Sequence, residues 1–192
     1  MSTHAETLEK AYSLEDFVAD TRHSLRAKPG PEGVEEVRQH LQRLLRNPHL
    51  LRDHLGDPPP FGTHCIHYDP ETDVYVLVHG REKAGGASPH DHGPCWVVYG
   101  QYTHHTDMKI WERLDDGSQE GYADLKVGCD VKLLPGDAVA MQRGYIHSIA
   151  YPDRSFFLRI TGGDVEKQKT LRFAPDQKRV VVEDRALRPR PE

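Results

Sequence analysis

Apolar residues recur along the first third of the chain at intervals of three and four. Leu14, Phe17, Val18 and Leu25 share one helical face, and Ser13 with Asp16 three residues later has the form of a capping box. Lys28-Pro29-Gly30-Pro31 interrupts that helix. A second begins at Glu32 and carries Val34, Val37, Leu41, Leu44 and Leu45 at helical spacing. Asn47-Pro48 starts a short third helix, which Gly56 ends. After Pro58-Pro59-Pro60 the pattern changes to short β-branched and aromatic runs separated by turn residues. The expected strands are Thr63 to His67, Val74 to His79, Trp96 to Thr103, Met108 to Leu114, Leu125 to Leu134, Ala138 to Gln142, His147 to Ala150, Phe156 to Thr161, Lys169 to Phe173 and Val180 to Val182. Asp69-Pro70-Glu71-Thr72, Asp115-Asp116-Gly117-Ser118, Pro135-Gly136-Asp137 and Tyr151-Pro152-Asp153-Arg154 mark turns. Many short strands without crossover helices predict a mainly β fold, an antiparallel barrel or jelly roll.

The expected organisation is a helical lead over residues 1–60, a β-barrel over 61–184 and a polar, Pro-rich, frayed tail over 185–192. At 192 residues the chain has the length of one domain. Hydrophobic residues make up 36% and charged residues 29%, and runs such as Val74 to Val78 fall far short of the roughly 20 residues of a spanning helix, so no membrane partner is expected. With 25 Lys and Arg against 30 Asp and Glu, the net charge of -5 argues against a phosphate-tracking, nucleic-acid-binding surface. The N-terminus lacks the basic and apolar regions of a secretory signal. Cys65, Cys95 and Cys129 form no disulfide framework, which makes a reducing cytoplasm the expected location. Either a monomer or a homodimer is compatible with these patterns.

Histidine is over-represented, with 13 copies. Imidazole is the commonest transition-metal ligand. Gly85-Gly86-Ala87-Ser88-Pro89-His90-Asp91-His92-Gly93 lies between two strands, and an extended His90–His92 segment puts both rings on one face with Asp91 on the other. At this histidine content about one His-x-His pair arises by chance. The specificity comes from a second motif, Leu134-Pro135-Gly136-Asp137 followed by Gly144-Tyr145-Ile146-His147.

This pair of motifs resembles the cupin superfamily, whose first motif supplies two metal histidines and whose second, a Pro-Gly-Asp turn followed by a histidine, supplies another. The resemblance covers roughly residues 62–162 and implies a double-stranded β-helix with His90, His92 and His147 as metal ligands. From His64 through Trp111 the chain is most similar to the thiol dioxygenases of the cysteine dioxygenase type, which also carry a helical lead. Several positions depart from the pattern. Many cupins place a glutamate ligand where this chain has Trp96 or Val97, and His104 replaces the usual turn glycine. The crosslinked cysteine of cysteine dioxygenases falls near Val97, two residues after Cys95. Their Ser-x-His-x-Tyr group falls on Phe157, Arg159 and Thr161, and the arginine that binds the substrate carboxylate falls near His64.

Three neutral imidazoles leave a divalent ion's charge undiminished and favour an anionic, chelating substrate. The resemblance implies Fe(II), a small-molecule thiol or carboxylate substrate and O2; imidazole also suits Zn, Ni, Cu and Mn. Strand alternation after His92 directs Val97, Tyr99 and Gln101 toward the metal and Trp96, Val98 and Gly100 away. Tyr99 and Gln101 are the catalytic candidates, with ordinary barrel packing as the alternative. Arg159 is the candidate clamp for a substrate carboxylate, with a surface ion pair as its alternative, and His64 is a second substrate-binding candidate. Cys95 packs as a small hydrophobe, is oxidised, or crosslinks. His64, His67 and His79 flank the site as candidate proton carriers, and His104, His105 and Asp107 form either an accessory site or a solvated turn. The leading expectation is a non-haem Fe(II) dioxygenase. The rivals are a non-oxidative metalloenzyme (isomerase, lyase or hydrolase) and a non-enzymatic small-molecule binder.

Overall fold

The computed structural model describes residues 11–184; the tail expected at 185–192 lies outside the described residues, as does the first part of the lead. Three helices come first, α1 (Leu14–Ala27), α2 (Pro31–Leu44) and α3 (Leu50–Leu55). The capping box at Ser13 is present in both halves: the Ser13 hydroxyl accepts from the Asp16 amide, and the Asp16 carboxylate accepts from the Ser13 amide. Pro31 opens α2 at the position where its missing N–H costs nothing, and Gly56 closes α3 with a φ of 94°.

Eleven strands follow: β1 (Gly62–Asp69), β2 (Val74–Arg81), β3 (Gly85–His90), β4 (Val97–Thr103), β5 (Thr106–Arg113), β6 (Leu125–Leu133), β7 (Ala138–Met141), β8 (Ile146–Tyr151), β9 (Ser155–Gly162), β10 (Lys169–Ala174) and β11 (Arg179–Asp184). They form two antiparallel sheets, one in the order β1-β2-β9-β4-β7 and the other β11-β10-β3-β8-β5-β6. The result is the mainly β jelly roll expected, with a helical segment at its N-terminal side. Among the described residues, no helix is long and apolar enough to cross a membrane.

The period of two along each strand divides the core. On the first sheet, Val74, Val76, Val78, Val98, Leu158 and Ile160 point outward and pack against Phe17, Val34, Val37, Leu41 and Leu44 of the helices. The alternate positions Val97, Tyr99 and Phe157 point inward and meet Met108, Leu133 and Ile149 of the second sheet. Strand β9 is covered on both faces, so Ser155–Thr161 is buried at every position and reads as an unbroken run. Helix and sheet come close at Gly100: a Cβ there would lie 2.7 Å from side-chain atoms of Leu41 and Leu45.

The helices are also tied to the sheet by charge. Arg22 of α1 donates from Nε and Nη2 to the two oxygens of Asp69, at 2.9 and 2.8 Å. Asp69 is buried, and the Arg22 hydrogen bonds, with those from Thr72 and the Glu71 amide, hold its carboxyl down to about 2. Its pKa is depressed on folding, so the stabilisation is present above the unfolded value and is lost as pH falls from about 4 toward 2, a contribution on the order of 2 kcal/mol. The expected result for Asp69→Asn is a loss of stability at pH 7 that shrinks as the two proteins are compared at successively lower pH by urea unfolding. A gap that stays constant down to pH 2 contradicts this account.

At the β4–β5 junction, His104 takes a φ of 59°, the left-handed conformation that a glycine adopts without strain. Histidine therefore carries a local cost there, partly offset by the greater unfolded-state freedom of glycine. His104→Gly is expected to stabilise the fold by about 0.5–1 kcal/mol, read as a raised urea midpoint at unchanged slope.

Candidate metal centre

Strand β3 differs from the sequence expectation, which treated residues 85–89 as an approach loop. Its Gly-Gly-Ala-Ser-Pro composition lacks β-branched side chains, yet Gly85, Gly86 and Ala87 pair with Tyr151, Ala150 and Ile149 of β8. The pairing ends with His90 directly opposite His147, and His147 in turn faces Ile110 of β5. Two imidazoles are thus placed side by side by strand register, with ring centroids 4.5 Å apart.

The third arrives differently. The strand ends at His90, so the expected extended His90–His92 segment is corrected to a strand end followed by a loop. Asp91 fixes that loop: its Oδ1 accepts from the amides of Gly93 (3.1 Å) and Leu171 (2.7 Å), while its own amide donates to the Leu171 carbonyl. The loop is thereby stitched to β10, and His92 folds back over the other two rings at centroid distances of 5.1 Å from His90 and 5.0 Å from His147.

All three histidines are buried, and one ligand atom from each lies within 4.8 Å of the others. Nitrogens bound to one ion at about 2.0–2.1 Å stand roughly 3.0–3.4 Å apart, so a small convergence of the rings completes the set. His90 is already oriented for the purpose. Its Nδ1 lies 2.8 Å from the Ser88 carbonyl, which only accepts, so the proton sits on Nδ1 and the lone pair on Nε2. The residues fit a divalent transition ion held by three neutral imidazoles. Of the two positions where a glutamate ligand was sought, Val97 lies in the barrel interior and Trp96 packs toward the helices.

The other candidates separate by face and by partner. Tyr99 is inward and buried, its ring 5.8 Å from His147 edge-on and 5.4 Å from Phe157. Gln101 is fully buried, but its amide serves the β4–β5 junction: Oε1 accepts from the Thr106 hydroxyl at 2.7 Å, and Nε2 donates to the Thr103 carbonyl at 2.6 Å. The ligand-bonding role expected of Gln101 is corrected to a turn-bracing one. His64 is corrected as well. It pairs with Val78, an outward position packed toward the helices, and its Nε2 contacts the Phe61 carbonyl. Arg159 pairs with Tyr99 and Leu77 on the inner face. It is only 7% exposed, and one terminal nitrogen reaches Glu166 at 3.4 Å.

Cys95 is buried, its Sγ 3.0 Å from where a Cβ on Gly163 would lie, and burial followed by the charge of Asp73 raises the thiol's pKa. It packs as a protonated, unreactive thiol. Exposed Asp107 pairs with Lys132 at 2.7 Å and with His105 at 3.4 Å, as a solvated turn does. Among the three flanking histidines, the structure singles out His79. It is buried against Phe157 at a centroid distance of 5.0 Å, and desolvation, then Arg159 and Arg81, push its pKa well below the usual histidine value. Sequence spacing alone did not distinguish it, because its inward aim depends on the pairing of β2 with β9.

No protein-family model matches the chain, and no curated protein does. Solved structures similar to it include a cupin superfamily protein from Desulfitobacterium hafniense DCB-2, at 16% identity and a TM-score of 0.39 over 54% of this chain and 77% of that one. KdgF from Halomonas sp. aligns at 14% identity and a TM-score of 0.40, covering 53% and 80%. An oxalate oxidase aligns at 16% identity and 0.39, covering 55% of this chain and 53% of its own.

Proposed function

We propose that the protein is a mononuclear non-haem Fe(II)-dependent dioxygenase of the cupin type, acting with O2 on a small anionic thiol or carboxylate substrate. The observation that carries this reading is the buried cluster of His90, His92 and His147, drawn from two strands and a stitched loop, a group that contains no carboxylate among the described residues. When bound, ferrous iron supplies open coordination positions and the electrons that activate oxygen. The three histidines hold the ion without reducing its charge, which draws an anion inward through a medium less screening than water. Arg159 offers the substrate a buried guanidinium from the opposite sheet. Tyr99, seated against His147, presents a phenol as a proton donor near the reacting atoms. Val97, Met108 and Phe157 exclude water around them.

The test is oxygen consumption by Fe(II)-loaded protein across a panel of thiols and carboxylates. Substrate-dependent uptake by at least one compound is expected. No uptake at full iron occupancy overturns the proposal. A second reading, a Lewis-acid isomerase, lyase or hydrolase using Zn, Ni or Mn, is favoured by one observation: Phe157, Arg159 and Thr161 occupy the places of the Ser-x-His-x-Tyr group. Equal turnover with and without oxygen selects it.

A further inference from the structure

Strand β6 ends the second sheet, and among the described residues its outer edge has no strand beside it. The sheet's other end differs. There the start of β11 is covered, since Tyr122 bridges Arg179 and the Val180 amide donates to the Gly121 carbonyl. On β6, residues 126–130 are exposed whichever face they are on, Lys132 is exposed too, and Val131 is half-buried. A strand with open backbone groups along one side is a template for another strand, and folded proteins usually blunt such an edge with charges, a proline or a bulge. Here a bulge is present: Ile110 and Trp111 of β5 stand opposite Cys129 and Val127, which leaves Gly128 unpaired. Beyond it, residues 129–133 run in unbroken register with β5, and the two charges among them are of opposite sign.

Those charges select one way for a second copy to add. Asp130 lies opposite Lys109 and Lys132 opposite Asp107, so both project from the outer face of the sheet, while Val131, opposite Met108, lies between them on the inner face. Two β6 strands running antiparallel about Val131 set Asp130 of each against Lys132 of the other, and Val131 against Val131. Across the four strands the outer face then reads Lys109, Asp130, the partner's Lys132 and the partner's Asp107, with alternating sign, and symmetry repeats the row in reverse. Half of each row is already formed within one chain: Lys132 Nζ lies 2.7 Å from Asp107, and Lys109 Nζ lies 4.0 Å from Asp130. Neighbouring registers fail. Centred on Asp130 or Lys132, the pairing sets two carboxylates or two ammonium groups face to face, and centred on Cys129 it opposes Lys132 to Lys126. Centred on Gly128 it opposes Asp130 to Lys126, but the bulge has turned these two to opposite faces, Asp130 alongside Lys109 and Lys126 alongside Glu112.

We propose that the protein self-associates through β6 as a two-fold symmetric dimer, joining the six-stranded sheets of two copies into one continuous sheet. Each copy presents the same surface, so the contact closes at two and leaves no open edge on β6. Backbone hydrogen bonds hold the strands together, Val131 is the apolar centre, and Asp130 with Lys132 fixes the register by repelling the alternatives. A single strand pair buries little area, so the dimer is a weak one, with Kd on the order of 10–100 μM. The inference does not depend on what the histidine cluster binds.

The experiment is sedimentation velocity on the full chain over a range of concentration that spans this Kd. Wild type is expected to pass from monomer to dimer and to stop there. Asp130→Lys sets a lysine against the partner's Lys132, and Lys132→Asp sets an aspartate against the partner's Asp130. Each is expected to weaken self-association by at least about tenfold. The two variants are then mixed in equal amounts. One chain now presents lysine at both positions and the other aspartate at both, so the facing charges attract again, and the mixture is expected to form a heterodimer with Kd within about threefold of the wild-type value. Damage to either chain alone produces no such recovery. Wild type that stays monomeric at the top of the range overturns the inference. A wild-type dimer that neither substitution weakens uses another surface and overturns it as well, and so does a mixture as monomeric as its components.

Discussion

His147→Ala is expected to weaken binding of a divalent transition ion by at least about 100-fold and to reduce substrate-dependent oxygen uptake to background. The size of the effect follows from its position. His147 is fully buried and is paired by register to His90 on one side and Ile110 on the other, so the sheet fixes where its ring stands. Competition against a chromophoric chelator measures the affinity. A second readout separates ligand loss from cavity formation. Metal binding to the native state alone stabilises it by about 4 kcal/mol at a thousandfold excess over Kd. Wild-type protein is therefore expected to gain several degrees in Tm on metal addition and to lose them with a chelator. The alanine variant should show neither change, and His147→Gln, which fills more of the space, should match it in metal response while recovering part of the metal-free stability. A variant that keeps wild-type affinity refutes the three-histidine site.

Most of the frame of that site was legible before any coordinates, because it is written in local chemistry. The Ser13–Asp16 capping box and the glycine after α3 each act within a few residues, and each is where the pattern placed it; Pro31, read as part of the break before the second helix, instead opens it. Alternation along β4 correctly sent Val97 and Tyr99 inward and Val98 toward the helices. What escaped depends on partners distant in the chain. Strand β3 carries almost no strand propensity and is extended because β8 supplies its hydrogen bonds. Gln101 lies on the inner side as expected, but alternation says nothing about Thr106 arriving from the next strand to take its amide. For His64, matching the chain in ungapped register supplied a role that the strand's own pairing with Val78 withdraws. His79 was one of three flanking histidines until β2 met β9 and placed it beside Arg159.

The same dependence on distant contacts makes Asp91 the residue outside the ligand set whose loss is expected to cost the most. Its Oδ1 answers two backbone amides, and one of them, on Leu171, is 80 residues away in the chain. Asp91 is 6% exposed, so its removal leaves both amides in a place that water reaches poorly. Each hydrogen bond to a charged acceptor contributes about 1.5–3 kcal/mol, and an amide left unanswered adds a desolvation penalty. Asp91→Ala is therefore expected to destabilise the fold by about 3–5 kcal/mol in urea unfolding, and to loosen the loop that carries His92, weakening metal affinity by about 10–100-fold. Asp91→Asn retains the accepting oxygen in a neutral side chain, and is expected to lose less than half as much in both measurements. The pairing of the two losses is what identifies the mechanism. If alanine destabilised the protein while its metal affinity stayed at the wild-type value, Asp91 would brace β10 alone, and His92 would owe its position to contacts other than this stitch.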